Sequence, residues 1–183
     1  RSVADVLYYY GDHIPNLGRY KEDDPAGALP DYDYDLINED KLLVLAVKNG
    51  EIVLPHGVSY RVLVLPNHQV LSLAALKKIQ ALVNAGATVI GTPALSTASL
   101  VGGANAEKER AQLVQALWGS APGAVGTRTV GKGRMIWGKT AREVLLASLV
   151  PDCAFVQKPE GKIYDYIHRQ VGSADIYFLS SQN

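Results

Sequence analysis

Residues 59–93 read SYRVLVLPNHQVLSLAALKKIQALVNAGATVIGTP, and they spell one strand–helix–strand unit. Arg61 to Leu65 is a short apolar, β-branched run closed by Pro66, the pattern of a strand buried on both faces. Ser72 is placed to cap a helix, since its hydroxyl can accept from a first-turn amide that has no partner within the helix. Behind it, Leu73, Leu76, Ile79, Leu82 and Val83 fall on one apolar stripe. Gly86 predicts the helix end, and Ala87 to Ile90 begins a second strand. Sheets built from such units bind ligands just past the carboxyl ends of their strands. There the chain supplies Asn67 and His68 after one strand, and Gly91, Thr92 and Pro93 after the next. Neither turn offers a nucleophile beside a base, so the unit reads as an enzyme scaffold without its catalyst.

The chain has 183 residues, enough for one domain with a sizeable core and a small appendage. Its 18 basic and 18 acidic residues cancel, with no basic tract, which argues against nucleic acid or an anionic membrane surface as partner. No apolar run approaches the roughly 20 residues of a membrane span. Cys153 is the one cysteine, so neither an internal disulfide nor a cysteine metal site is expected. A reducing compartment fits this, and a secreted or periplasmic parent protein fits equally. The first residue is Arg1 and no signal peptide is visible, so the chain reads as processed or excised from something longer.

Outward from the central unit, Val3 to Tyr10 is a strand candidate and residues 13–32 form a long aperiodic loop, expected to serve function or an interface. A helix is expected from Asp35, as N-cap, through Leu45. Asn49-Gly50 between apolar runs predicts a hairpin over Val47 to Leu54. Asn105 is expected to cap a helix carrying Leu113, Val114, Leu117 and Trp118 and ending at Gly119. Thr127 to Trp137 reads as two strands about Gly131-Lys132-Gly133. Thr140 and Glu143 match a capping box that opens a helix to about Leu149. Cys153 to Gln157, Lys162 to Gln170 and Ala174 to Ser180 are three strand candidates with no helix between them. The change from alternating elements to strands alone places a boundary near residue 151.

Several constellations invite a sharper reading. Asp31, Asp33 and Asp35 alternate, but the positions where a calcium loop of the EF-hand type needs glycine and glutamate hold Leu36 and Leu42. Capping and the positive end of the following helix explain these aspartates better. Asp12 and His13 follow the first strand at the ligand-binding edge, though adjacent loop residues rarely face one another and no nucleophile accompanies them. His56, His68 and His168 fit no zinc spacing, so no metal site is expected, and no cofactor motif is present. Ten tyrosines could stack on sugars, yet most lie in strand-like runs where packing explains them.

Two resemblances meet on these residues. The order of elements across Arg61 to Pro93 resembles the class I glutamine amidotransferase-like fold, in which the strand matching Thr88 to Ile90 leads into a turn bearing the catalytic cysteine. Here that turn is Gly91-Thr92-Pro93, and without a thiolate the glutaminase reaction has no first step. A closer resemblance runs over nearly the whole chain. DVLYYYGDHIPN (5–16), LPDYDYDLIN (29–38), SYRVLVLPNHQVLS (59–72), GATVIGTP (86–93), GKGRMIWG (131–138) and IHRQVGSADIYFLSSQN (167–183) are similar in order to glycoside hydrolase family 106, the α-L-rhamnosidases. That resemblance implies a region downstream of a catalytic (β/α)₈ barrel and leading into β-sandwich modules. The family's catalytic glutamates belong to the barrel, so none falls on a position here.

The expectation is therefore an α/β fold: a flavodoxin-like, class I glutamine amidotransferase-like three-layer sandwich with a mostly parallel central sheet. It would span residues 1–150, with 151–183 as a short β-strand extension. The expected role is that of a non-catalytic accessory domain contacting neighbouring domains through loop 12–35. A carbohydrate-binding module would instead use Asp12, His13, Tyr32, Asn67 and His68, with Thr92 a further candidate for a ligand or interdomain contact. A stand-alone amidotransferase-like hydrolase with an unusual nucleophile is a third reading. Unpaired terminal strands would also permit a homodimer.

Overall fold

A computed structural model describes residues 1–11, 31–97, 102–156 and 163–182. Its centre is a six-stranded sheet in the order β3 (Tyr34–Ile37), β2 (Val6–Tyr9), β7 (Val62–Val64), β8 (Thr88–Ile90), β10 (Gly133–Trp137) and β9 (Gly126–Val130). The first five are mutually parallel, and β9 joins β10 as an antiparallel edge. Numbered along the chain, the parallel strands lie in the order 2-1-3-4-5. The order reverses between β2 and β7, which makes that crevice the topological switch point.

Both faces of the sheet are buried, as parallel sheets require. Leu7, Tyr9, Leu63, Leu65, Val89, Met135 and Trp137 point to one side, where α2 (Leu73–Ala85) and α3 (Gly103–Trp118) cover them. A small meander of β4 (Ala46–Lys48), β5 (Glu51–Val53) and β6 (Ser59–Tyr60) and the short α1 (Glu39–Leu43) close the same layer. Val6, Tyr8, Val62, Val64, Ile90 and Ile136 point to the other side, against Tyr32 and α4 (Ala141–Leu146). A second, three-stranded sheet has the order β1 (Ser2–Val3), β11 (Ile163–Val171) and β12 (Ala174–Gln182).

Local chemistry accounts for most boundaries. Ser72 caps α2 by accepting from the Ala75 amide at 3.0 Å, and Gly86 ends it. Asn49 and Gly50 both take positive φ (54° and 83°), the pair of left-handed residues that a two-residue hairpin turn needs. Thr140 and Glu143 form the full capping box of α4, which ends at Leu146 rather than near Leu149. The hydrogen bonds from Thr140, its backbone amide first, hold the Glu143 carboxyl below its usual range.

Four expectations are corrected. Val3 to Tyr10 is split: β1 belongs to the second sheet and β2 to the first. Asp35 caps no helix; it lies in β3, which pairs with β2, and its carboxylate accepts from the Tyr60 hydroxyl at 2.9 Å. Asn38 caps α1 instead, accepting from the Lys41 amide. Asn105 lies inside α3, whose N-cap is Gly102. Of the expected strand Cys153 to Gln157, residues 153–156 form none and Gln157 lies outside the described residues; there Phe155 packs on Tyr164 with ring centroids 5.2 Å apart. Loop residues 12–30 lie outside the described residues.

Candidate functional site

The parallel register aligns Tyr8, Val64, Ile90 and Ile136 in one row across the sheet. The residues that follow β7, β8 and β10 therefore emerge side by side. They enclose a cleft of about 340 Å³ lined by Pro66 and Asn67, by Gly91 and Thr92, and by Gly138, Lys139 and Thr140. Its size lies at the lower end of small-ligand sites. Asn67 and Thr92 are exposed and offer an amide and a hydroxyl, while Lys139 adds a cationic donor. The Thr140 hydroxyl is committed to Glu143 at 2.9 Å. Among the described residues the lining holds no carboxylate, thiol or imidazole, and what those residues offer a ligand is hydrogen-bond donation.

The floor of this cleft is sterically fixed. A Cβ on Gly91 would lie 2.5 Å from the Cβ of Leu65, and the Gly91 carbonyl accepts from the indole of buried Trp118 at 2.9 Å. The residue directly after β8 thus has room for no side chain at all. Gly91→Ala should lower stability by about 1–3 kcal/mol, because the backbone-proximal Leu65 atom cannot swing away; chemical denaturation would show it as a reduced midpoint.

The expected site residues are only partly brought together. Asn67 and Thr92 share the cleft. His68 leaves it and turns to the switch point, where Nε2 lies 3.4 Å from the Tyr10 carbonyl. Gly11 packs beneath that ring at positive φ, and a Cβ there would meet His68 Nε2 at 2.5 Å. Tyr32 is fully buried in the second core layer, with its hydroxyl donating to the Leu149 carbonyl at 2.9 Å. Asp12 and His13 lie outside the described residues. Lys139 was not among the expected residues, since nothing in its local sequence points to the strand end beside it.

A second polar constellation also escaped sequence reading. His168 is 5% exposed, with Nδ1 3.0 Å from an Asp152 oxygen and Nε2 2.9 Å from an Asp175 oxygen. Its ring stacks on Tyr177, centroids 4.3 Å apart. Each ring nitrogen thus faces one carboxylate oxygen. Both nitrogens are occupied, which leaves none for a metal or a nucleophile. No group of three or more His, Cys, Asp or Glu among the described residues is placed to hold a metal ion.

Asp5 borders this constellation. Burial, and secondarily the Asp152 carboxylate, raise it from 3.8 to about 6. Its folded value lies above its unfolded one, so the folded state binds more protons between pH about 4 and 6. Stability is thereby lost as pH rises through that window, and the cost persists above it. Asp5→Asn should accordingly stabilise the protein at pH 7 by about 1–2 kcal/mol, a figure reduced for partial solvent screening. The gain should fade as pH falls toward 4; urea melts at the two pH values would measure it.

Comparison with known proteins places the whole arrangement. A model of the α-L-rhamnosidases of glycoside hydrolase family 106 matches residues 1–183. A Formosa agariphila protein named "Putative beta-glucuronidase" is 34% identical over 99% of this chain, which spans 14% of that relative. The solved rhamnosidase of Novosphingobium sp. PP1Y superposes with a TM-score of 0.84 at 33% identity, over 98% of this chain and 17% of that one. The chain thus corresponds to a small part of each. From its match along its full length, the chain belongs to the α-L-rhamnosidase family 106 of glycoside hydrolases.

Proposed function

We propose that this chain is a non-catalytic accessory domain of a longer family 106 glycoside hydrolase, holding its neighbouring domains in place. One observation carries the reading: among the described residues the strand-end cleft, where this class of sheet puts its chemistry, is lined by Asn67, Thr92 and Lys139 and by no carboxylate. Glycoside hydrolysis generally needs two carboxyl groups about 5–10 Å apart across the scissile bond. The strand order 2-1-3-4-5 and two covered faces support a flavodoxin-like, glutamine amidotransferase-like description of residues 1–150. On this reading residues 151–183 form the extension toward the next module.

The test replaces Asn67, Thr92 and Lys139 together by alanine in the full-length polypeptide. An accessory role leaves kcat on an aryl rhamnoside within about twofold, whereas acid–base groups in the cleft would cost about a hundredfold or more. The cleft itself favours a second reading, in which it binds a sugar through hydrogen bonds without cleaving it. Calorimetric binding of rhamnose or a pectic oligosaccharide at millimolar affinity or better, abolished by Asn67→Ala, would establish that reading.

A further inference from the structure

We propose that the outward face of the β11–β12 hairpin is an interdomain interface, covered by apolar side chains from another part of the same longer polypeptide. This rests on the accessory-domain reading and names the surface through which it operates.

The register of the hairpin divides its side chains into two faces. Tyr166 and His168 point inward and are buried against the α/β core, the Tyr166 hydroxyl reaching the Asp31 carbonyl at 3.0 Å. Ile167, Val171, Ile176 and Phe178 point the other way and are 46%, 64%, 39% and 60% exposed. Ile167 and Phe178 are direct cross-strand partners, so they form one continuous apolar surface. Arg169, opposite Ile176, lies away toward β1, donating to the Ser2 hydroxyl at 2.7 Å and the His168 carbonyl at 3.2 Å. Its charge therefore leaves the β12 side of the face apolar.

An antiparallel sheet with one face in water alternates apolar-in with polar-out. Here the outward face instead carries Ile167, Val171, Ile176 and Phe178 where polar residues would meet water, which is the pattern of a layer packed on a second side. The position of β12 at the edge of its sheet adds a row of backbone groups open to a further strand. The occupant is assigned to the same polypeptide because two relatives contain almost all of this segment as only 14% and 17% of their length. A tethered neighbour also acts at about millimolar effective concentration, which favours it over a second copy.

Phe178→Cys and Ile167→Cys, each introduced into the full-length polypeptide, test the interface by maleimide labelling read peptide by peptide. Rates are normalised to the same protein unfolded in urea. Coverage predicts labelling slowed by about a hundredfold or more at both positions, independent of protein concentration. Labelling within about threefold of the unfolded rate would overturn the proposal. So would protection that grows with concentration, because it assigns the face to a second copy. Should a cysteine variant fold poorly, hydroxyl-radical footprinting of the unmodified protein reads Phe178 with the same outcomes. Full rhamnoside turnover by the 183 residues alone would sink the accessory reading without moving these rates, so the two ideas fail separately.

Discussion

His168→Ala should lower the unfolding free energy by about 2–4 kcal/mol, since it removes the ring's polar contacts with two carboxylates and an aromatic stack while leaving a hole. The loss stays below that of a fully buried pair, because Asp152 and Asp175 keep 37% and 45% of their side-chain surface in water. His168→Phe separates the contributions: it can keep the stack on Tyr177, so it should recover part of the loss while both carboxylates remain unpaired. Urea denaturation of the three proteins at one pH measures the series. Equal stability of the alanine variant and the parent would show that the Asp152–His168–Asp175 bridge contributes nothing.

The second large effect is expected at Trp118, which is 2% exposed and joins the core to the cleft. Trp118→Ala should cost about 3–5 kcal/mol, the usual range for emptying a buried aromatic site. Trp118→Phe keeps most of the volume but strands the Gly91 carbonyl, and should cost about 1–2 kcal/mol. If the indole fixes the turn as well as filling space, the phenylalanine variant should also weaken any ligand held by Thr92. Calorimetric denaturation gives the stability terms and ligand titration gives the turn effect.

What the sequence disclosed divides by range. Ser72, Thr140 with Glu143, and Asn49-Gly50 act on atoms within a few residues, and each element they define is present. Asp35 looked like a cap for the same local reasons, but pairing of Tyr34–Ile37 with β2 outweighs that preference. The α3 start shows the converse: a left-handed Gly102 begins the helix without a side-chain cap. Half of the cleft was legible, since Asn67 and Thr92 directly follow recognisable strands. Lys139 was not, because its place depends on β10 lying parallel beside β8. The His168 bridge was hidden for a similar reason, its partners being 16 and 7 residues away, Asp152 on the preceding loop and Asp175 brought in by the hairpin register.

The pairing of β1 with β11 has a kinetic side. Ser2 lies opposite Arg169, 167 positions further along, so β1 waits until β11 has been made. Contacts of such sequence separation form late, after the shorter loops have closed. The α/β core should therefore assemble with its leading strand unattached. At two residues, β1 is too short to template pairing with another chain during that interval. Its capture by the emerging hairpin would then be the closing step of folding, readable as the slowest phase of protection at Val3.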